Sequence, residues 1–182
     1  MKKAIGLLEY RSVTRGMVGA DTIVKAAGVE LLQATTVCPG KFLVLVAGDV
    51  GSVQSAIETG SGIGEDVLID QFMLANVHDA VFPALNATSI VDPKGALGII
   101  ETFTAASAVV AGDIAAKAAQ VELIEIRLAR GLGGKSFVTL NGDVGSVTVA
   151  MEAVTKALAD EGTLVDHAII TNPHRDLWQQ LV

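Results

Sequence analysis

Short apolar runs and helix-spaced apolar positions alternate along this chain. Residues 4–8 form an apolar run that reads as a strand. From 16 to 27, Met17, Ala20, Val24 and Ala27 recur at spacings of three, four and three, which predicts a helix that Gly28 is placed to end. Residues 29–37 predict a second strand. Cys38-Pro39-Gly40 is strong turn punctuation, and the apolar run 41–47 predicts a third strand paired with the second as a hairpin. Gly48 then turns the chain, and Asp49 suits the N-cap of a helix carrying Val50, Val53 and Ile57 on one side. Residues 60–64 are expected to end that helix, 67–74 to form a fourth strand, and 79–85 a short closing helix.

This β-α-β-β-α-β-α order is used twice. Gly48-Asp49-Val50-Gly51-Ser52-Val53 returns letter for letter as Gly142-Asp143-Val144-Gly145-Ser146-Val147. Ala4-Ile5-Gly6-Leu7-Leu8-Glu9 answers to Ala96-Leu97-Gly98-Ile99-Ile100-Glu101, and Asp21 and Lys25 to Asp113 and Lys117, all 92 residues on. The offset is 94 at the repeated hexapeptide and 96 where Asn76-Val77-His78 meets Asn172-Pro173-His174, so each growth is a tolerated loop insertion. In the second copy Val138-Thr139-Leu140-Asn141 alternates apolar and polar, as a half-buried strand does. The expected organisation is one α/β (α+β) unit over 1–88, a linker near 87–94 broken by Asp92-Pro93, and a second unit over 95–182. Each unit carries a four-stranded, mostly antiparallel sheet with flanking helices.

Composition narrows the class. The chain has 182 residues, 51% hydrophobic but only 4% aromatic, and a mean hydropathy of +0.52. Small aliphatic side chains supply the excess, which suits tight packing and large subunit contacts, and each unit is small enough to need its twin or other chains. The run 102–112 is too short to span a bilayer, and Glu9-Tyr10-Arg11 cuts short any signal-like start, so no membrane and a cytoplasmic location are expected. A net charge of −7 without a basic run argues against nucleic acid. The single cysteine excludes an intrachain disulfide.

Candidate chemistry is sparse. Cys38 is either a small buried hydrophobe or a metal ligand; its place on a tight turn, with Lys41 three residues on to favour the thiolate, keeps both readings open. Ala129-Arg130-Gly131-Leu132-Gly133-Gly134-Lys135-Ser136 fits a loosened P-loop, which raises a distant nucleotide-hydrolase alternative. A working P-loop opens a helix, however, and residues 137–140 read as a strand. The repeated hexapeptides read as glycine turns with an aspartate cap. Asp21–Lys25 and Asp113–Lys117 are surface ion pairs at i, i+4. His78 and His174 each stand alone, with no second ligand at metal spacing. Glu9 and Glu101 are a repeated, structural pair. No catalytic constellation is present at sequence level, so a non-enzyme is expected.

The repeated A-[IL]-G-x-[LI]-E opening, the D-x-x-x-K of the first helix, the GDVGSV helix start and the N-x-H after the last strand resemble the bacterial microcompartment shell-protein domain. Two strand-first copies in tandem resemble the trimeric tandem-domain members. Val37-Cys38-Pro39-Gly40-Lys41-Phe42 resembles the propanediol-utilisation type with an iron–sulfur site. The resemblance covers essentially the whole chain. It implies a homotrimer forming a pseudohexameric tile among other shell proteins. Cys38, Pro39, Gly40 and Lys41, with Arg130, Gly131, Leu132, Gly133, Gly134 and Lys135, would line the axis or pore. It implies one 4Fe–4S iron–sulfur cluster per trimer on Cys38, electron transfer across the shell, and an enclosed redox enzyme as partner. The alternative is a tile without a cluster whose pore conducts small metabolites. It also implies that Lys25, Lys117, His78 and His174 lie at the tile edge. Asn76 and Asn172 stand near the place where many single-domain members have Arg.

Overall fold

The computed structural model describes residues 3–63 and 66–182. Its elements follow the expected order twice. The first set is β1 (Ala4–Tyr10), α1 (Val13–Ala26), β2 (Glu30–Val37), β3 (Lys41–Gly48), α2 (Val50–Ile63), β4 (Leu68–Ala75) and α3 (Val81–Leu85). The second is β5 (Ala96–Thr102), α4 (Ala105–Ala118), β6 (Glu122–Arg127), β7 (Ser136–Gly142), α5 (Val144–Glu161), β8 (Leu164–Ile170) and α6 (Arg175–Leu181). The sheets run β2-β3-β1-β4 and β6-β7-β5-β8, with every named pair antiparallel. The repeat extends to irregularities. The hairpins break register between Leu31 and Gln33 and between Leu123 and Glu125, at matching positions.

Two compact units result, divided between Val77 and His78. In the first, α1 and α2 cover one sheet face, packing Ile23, Val53, Ala56 and Ile57 on Leu8, Tyr10, Phe42, Val44 and Val46. Burying each of the larger aliphatic side chains contributes about 1.5–3 kcal/mol. In the second unit, α3 packs against β6 and α4, so the short helix after the first sheet finds its partners among the second unit's elements.

Several boundaries differ from expectation. α1 begins at Val13, where the Ser12 side chain accepts the Arg15 N–H at 3.3 Å, and Gly16 is buried inside the helix. The chain leaves α1 at Ala27 in an extended conformation, so Gly28 is not a left-handed cap. α2 runs through Gly60 to Ile63. A β-carbon on Gly60 would stand 2.4 Å from Leu8 Cδ1 and 2.6 Å from Ile23 Cδ1, so this glycine admits a close approach instead of ending the helix. Gly64, the last residue expected to end α2, lies outside the described residues, as do Met1 and Lys2. Val50 is exposed, whereas Val53 and Ile57 face inward. β7 is buried at its polar positions as well, not half-buried. Asn141 pays for its burial with bonds to the linker: its amide donates to the Asp92 carbonyl (3.0 Å) and to Glu122 (2.9 Å), and its oxygen accepts the Lys94 N–H (3.2 Å).

Among the described residues, no helix is long and apolar enough to cross a membrane.

Candidate functional site: two hairpin turns

Each unit presents one hairpin turn between its second and third strands. In the first, Cys38-Pro39-Gly40 links β2 to β3, the Cys38–Pro39 peptide is cis, and Gly40 has φ +69°. Cys38 is half-buried and its thiol is free. Lys41, the first residue of β3, donates from Nζ to Glu9 Oε2 at 2.9 Å, and the Glu9 side chain is nearly buried. The second turn is longer. Ala129, Gly131, Gly133 and Gly134 all have positive φ, and the Lys135 N–H donates to the Leu132 carbonyl at 3.2 Å. Lys135 pairs with Glu101.

The two ion pairs occupy matching places in the repeat, and they change the electrostatics expected at these turns. Lys41 and Lys135 do not offer unopposed charge to the loop tips: each ammonium is held by a carboxylate on the adjoining strand β1 or β5. The sequence separates what the fold joins: there the glutamates read as a structural pair, Lys41 as a neighbour of the thiol and Lys135 as a lining residue. The signal was present, because both partners recur together in both copies.

The loosened P-loop takes another form. The chain passes from Arg130–Lys135 directly into strand β7, with no helix N-terminus to cradle phosphate. Ser136 is fully buried and its hydroxyl accepts the Ala129 N–H at 3.0 Å, closing the turn on itself.

The repeated hexapeptides are helix caps. Asp49 Oδ1 accepts the Ser52 N–H at 3.0 Å and Asp143 Oδ1 accepts that of Ser146 at 3.0 Å. Hydrogen bonds from the serine hydroxyl and amide hold both carboxyls below the usual aspartate range. Burial pushes the Tyr10 hydroxyl up to about 12; it donates to the Gly60 carbonyl at 2.9 Å.

Lys25 and Lys117 each bond the aspartate four residues earlier at 2.6 Å. The first pair is exposed. In the second, Asp113 is buried and its other oxygen accepts the His78 N–H at 2.8 Å. His78 and His174 play one local role: Nδ1 of each accepts the N–H two residues on, from Ala80 and Asp176, both at 3.2 Å.

A resident iron–sulfur cluster needs several soft donors. Among the described residues, no group of three or more His, Cys, Asp or Glu side chains is placed to hold a metal. One chain offers one thiol, on a turn with open space around Gly40. That donor set fits a cluster only as a site shared between copies of the chain.

The BMC domain model matches residues 4–77 and 96–173. The chain is 41% identical to the bacterial microcompartment shell protein PduT of Citrobacter freundii, over 100% of this chain and 99% of that one. It is 33% identical over 94 residues to the carboxysome shell protein CsoS1 of Prochlorococcus marinus, covering 50% of this chain and 91% of that one. A crystal structure of a microcompartments protein from Desulfitobacterium hafniense DCB is 47% identical and superposes with a TM-score of 0.95, covering 98% of this chain and 99% of that one. Two matched domains, two repeated sheets and full-length similarity agree: the chain belongs to the BMC-domain family of bacterial microcompartment shell proteins, with the domain present twice.

Proposed function

We propose that this shell protein assembles as a homotrimeric, pseudohexameric tile in which three Cys38 turns meet at the three-fold axis and hold one 4Fe–4S cluster. The observation that carries the reading is the chain's only cysteine, with a free thiol, at the turn of the first hairpin. Bound there, the cluster would supply one-electron transfer. The chain's own residues do the rest. Cys38 presents its sulfur on a turn fixed by two paired strands. Glu9 anchors Lys41, and with it the start of β3, so the turn is tied to the central strand of the sheet. Residues 130–135 of the second unit alternate with the cysteine turns around the axis. The role is structural and electron-carrying, without catalysis; the partners are other shell proteins and an enclosed redox enzyme.

Anaerobic purification of wild type and Cys38→Ser, with iron content and paramagnetic resonance, tests this. About four irons per three chains are expected in the wild type and none in the variant. Absence of iron from both, even after reconstitution, removes the cluster and leaves a tile whose axis is a pore for small metabolites.

A further inference from the structure

The second unit carries a side-chain cluster that the first does without. On β6, Glu125 and Arg127 stand at alternate positions and so share a face of the sheet. Arg127 donates from Nε to Glu125 Oε1 at 2.8 Å and from Nη2 to Glu125 Oε2 at 3.0 Å. Its guanidinium lies over the ring of its cross-strand partner Phe137, 5.1 Å from the centroid. The repeat shows that the sheet does not need these groups. With the same bulge and the same register, the first copy has Gln33, Thr35 and Leu43 in their places. Nor does stability account for them, since an ion pair with a half-exposed arginine contributes little.

The cluster walls a cavity of about 380 Å³ within the second unit, completed by Ser89 of the linker, Ile124 of β6, and Gln180 and Leu181 of α6. Its polar groups are donors in surplus. Glu125 takes the Nε edge of Arg127 and leaves both Nη1 hydrogens and one on Nη2 uncommitted. Ser89 Oγ is buried without a hydrogen-bond partner, which a native fold rarely tolerates unless something else fills the place. Gln180 adds an exposed amide, and Ile124, Phe137 and Leu181 supply apolar wall. We propose that this cavity binds a small aliphatic monocarboxylate, its two oxygens on the free Nη1–Nη2 edge of Arg127, its bonds completed by Ser89, and its tail against the apolar wall. The planar fork of a guanidinium matches a carboxylate, and here Glu125 and Phe137 hold it in place before the ligand arrives. Because Glu125 already balances the charge of Arg127, a dianion such as phosphate is a poorer fit than a monoanion. The site uses neither Cys38 nor a second copy of the chain.

The test titrates the full chain, as it assembles, with pentanoate and follows the methyl resonances of Ala87, Ile124 and Leu181 by NMR. A Kd of ~1 mM is expected for so small a ligand, with saturable shifts centred on the cavity. Glu125→Gln with Arg127→Thr gives β6 the residues that β2 already carries in the same fold, so loss of structure is not expected; circular dichroism checks it. This pair is expected to weaken binding ~10-fold or more, and Ser89→Ala ~3-fold or more. Arg127→Lys keeps the charge but loses the planar edge, and should also weaken binding. Pentanamide, the neutral analogue, should bind ~10-fold more weakly than pentanoate. No saturable shift in the wild type overturns the site. Unchanged pentanoate binding by the folded Glu125→Gln, Arg127→Thr chain, or equal binding of pentanamide or inorganic phosphate, overturns the recognition of a monocarboxylate.

Discussion

At the scale of single residues, two glycines of α2 make opposite predictions. Gly60→Ala forces a methyl against Leu8, Ile23 and the Tyr10 hydroxyl and is expected to destabilise by about 1–3 kcal/mol. Gly62→Ala meets nothing within 4 Å and is expected to be neutral or to stabilise by up to about 1 kcal/mol. Denaturant melts of both variants check the pair. In the sequence, residues 60–64 read as a helix stop, because glycine carries the same letter whether it ends a helix or admits a neighbour; only the packing of Leu8 and Ile23 separates the cases. Tyr10 gives a pH prediction. Its folded pKa of about 12 lies above the ordinary value near 10. The unfolded chain therefore ionises first, and the stabilisation present below pH ~10 is lost as pH rises towards 12. Tyr10→Phe should lose about 1 kcal/mol at neutral pH with the bond to Gly60, and show a flatter alkaline decline.

At the scale of elements, the order of elements along the chain and both hairpins are legible from sequence, since alternation and turn residues are local, whereas the placing of β1 and β5 between their neighbours in the sheets is not. The unequal duties of repeated residues were not legible. Asp21 and Asp113 share spacing and partner, yet only Asp113 is buried, because α3 and its leading turn lie on α4. Asp113→Ala should cost about 1–3 kcal/mol by stranding the His78 N–H, whereas Asp21→Ala in the dissociated chain should cost well under 1 kcal/mol. Chemical denaturation at low protein concentration distinguishes them. The glutamate–lysine anchors of the hairpins escaped for a related reason: 32 or 34 residues separate the partners, and only strand pairing brings them together.

At the scale of the whole molecule, the lysines expected at the tile edge are no longer equivalent. Lys25 sits in an exposed pair, while Lys117 balances a buried carboxylate. Replacing both with alanine is expected to leave the proposed trimer intact and to weaken any edge-to-edge arrays seen by electron microscopy. Lys25→Ala alone should do so with a stability change within about 0.5 kcal/mol. The similarity to PduT extends over the full length, so the sequence alone carried the family; the cluster and the trimer proposed above would depend on neighbours that one chain does not contain. The two hairpins are alike in frame and unlike at the tip. Because a peptide linker joins them, a cell can never make one kind of tip in excess of the other. The tandem arrangement makes a mixing ratio, which expression levels would otherwise set, a covalent property of the polypeptide.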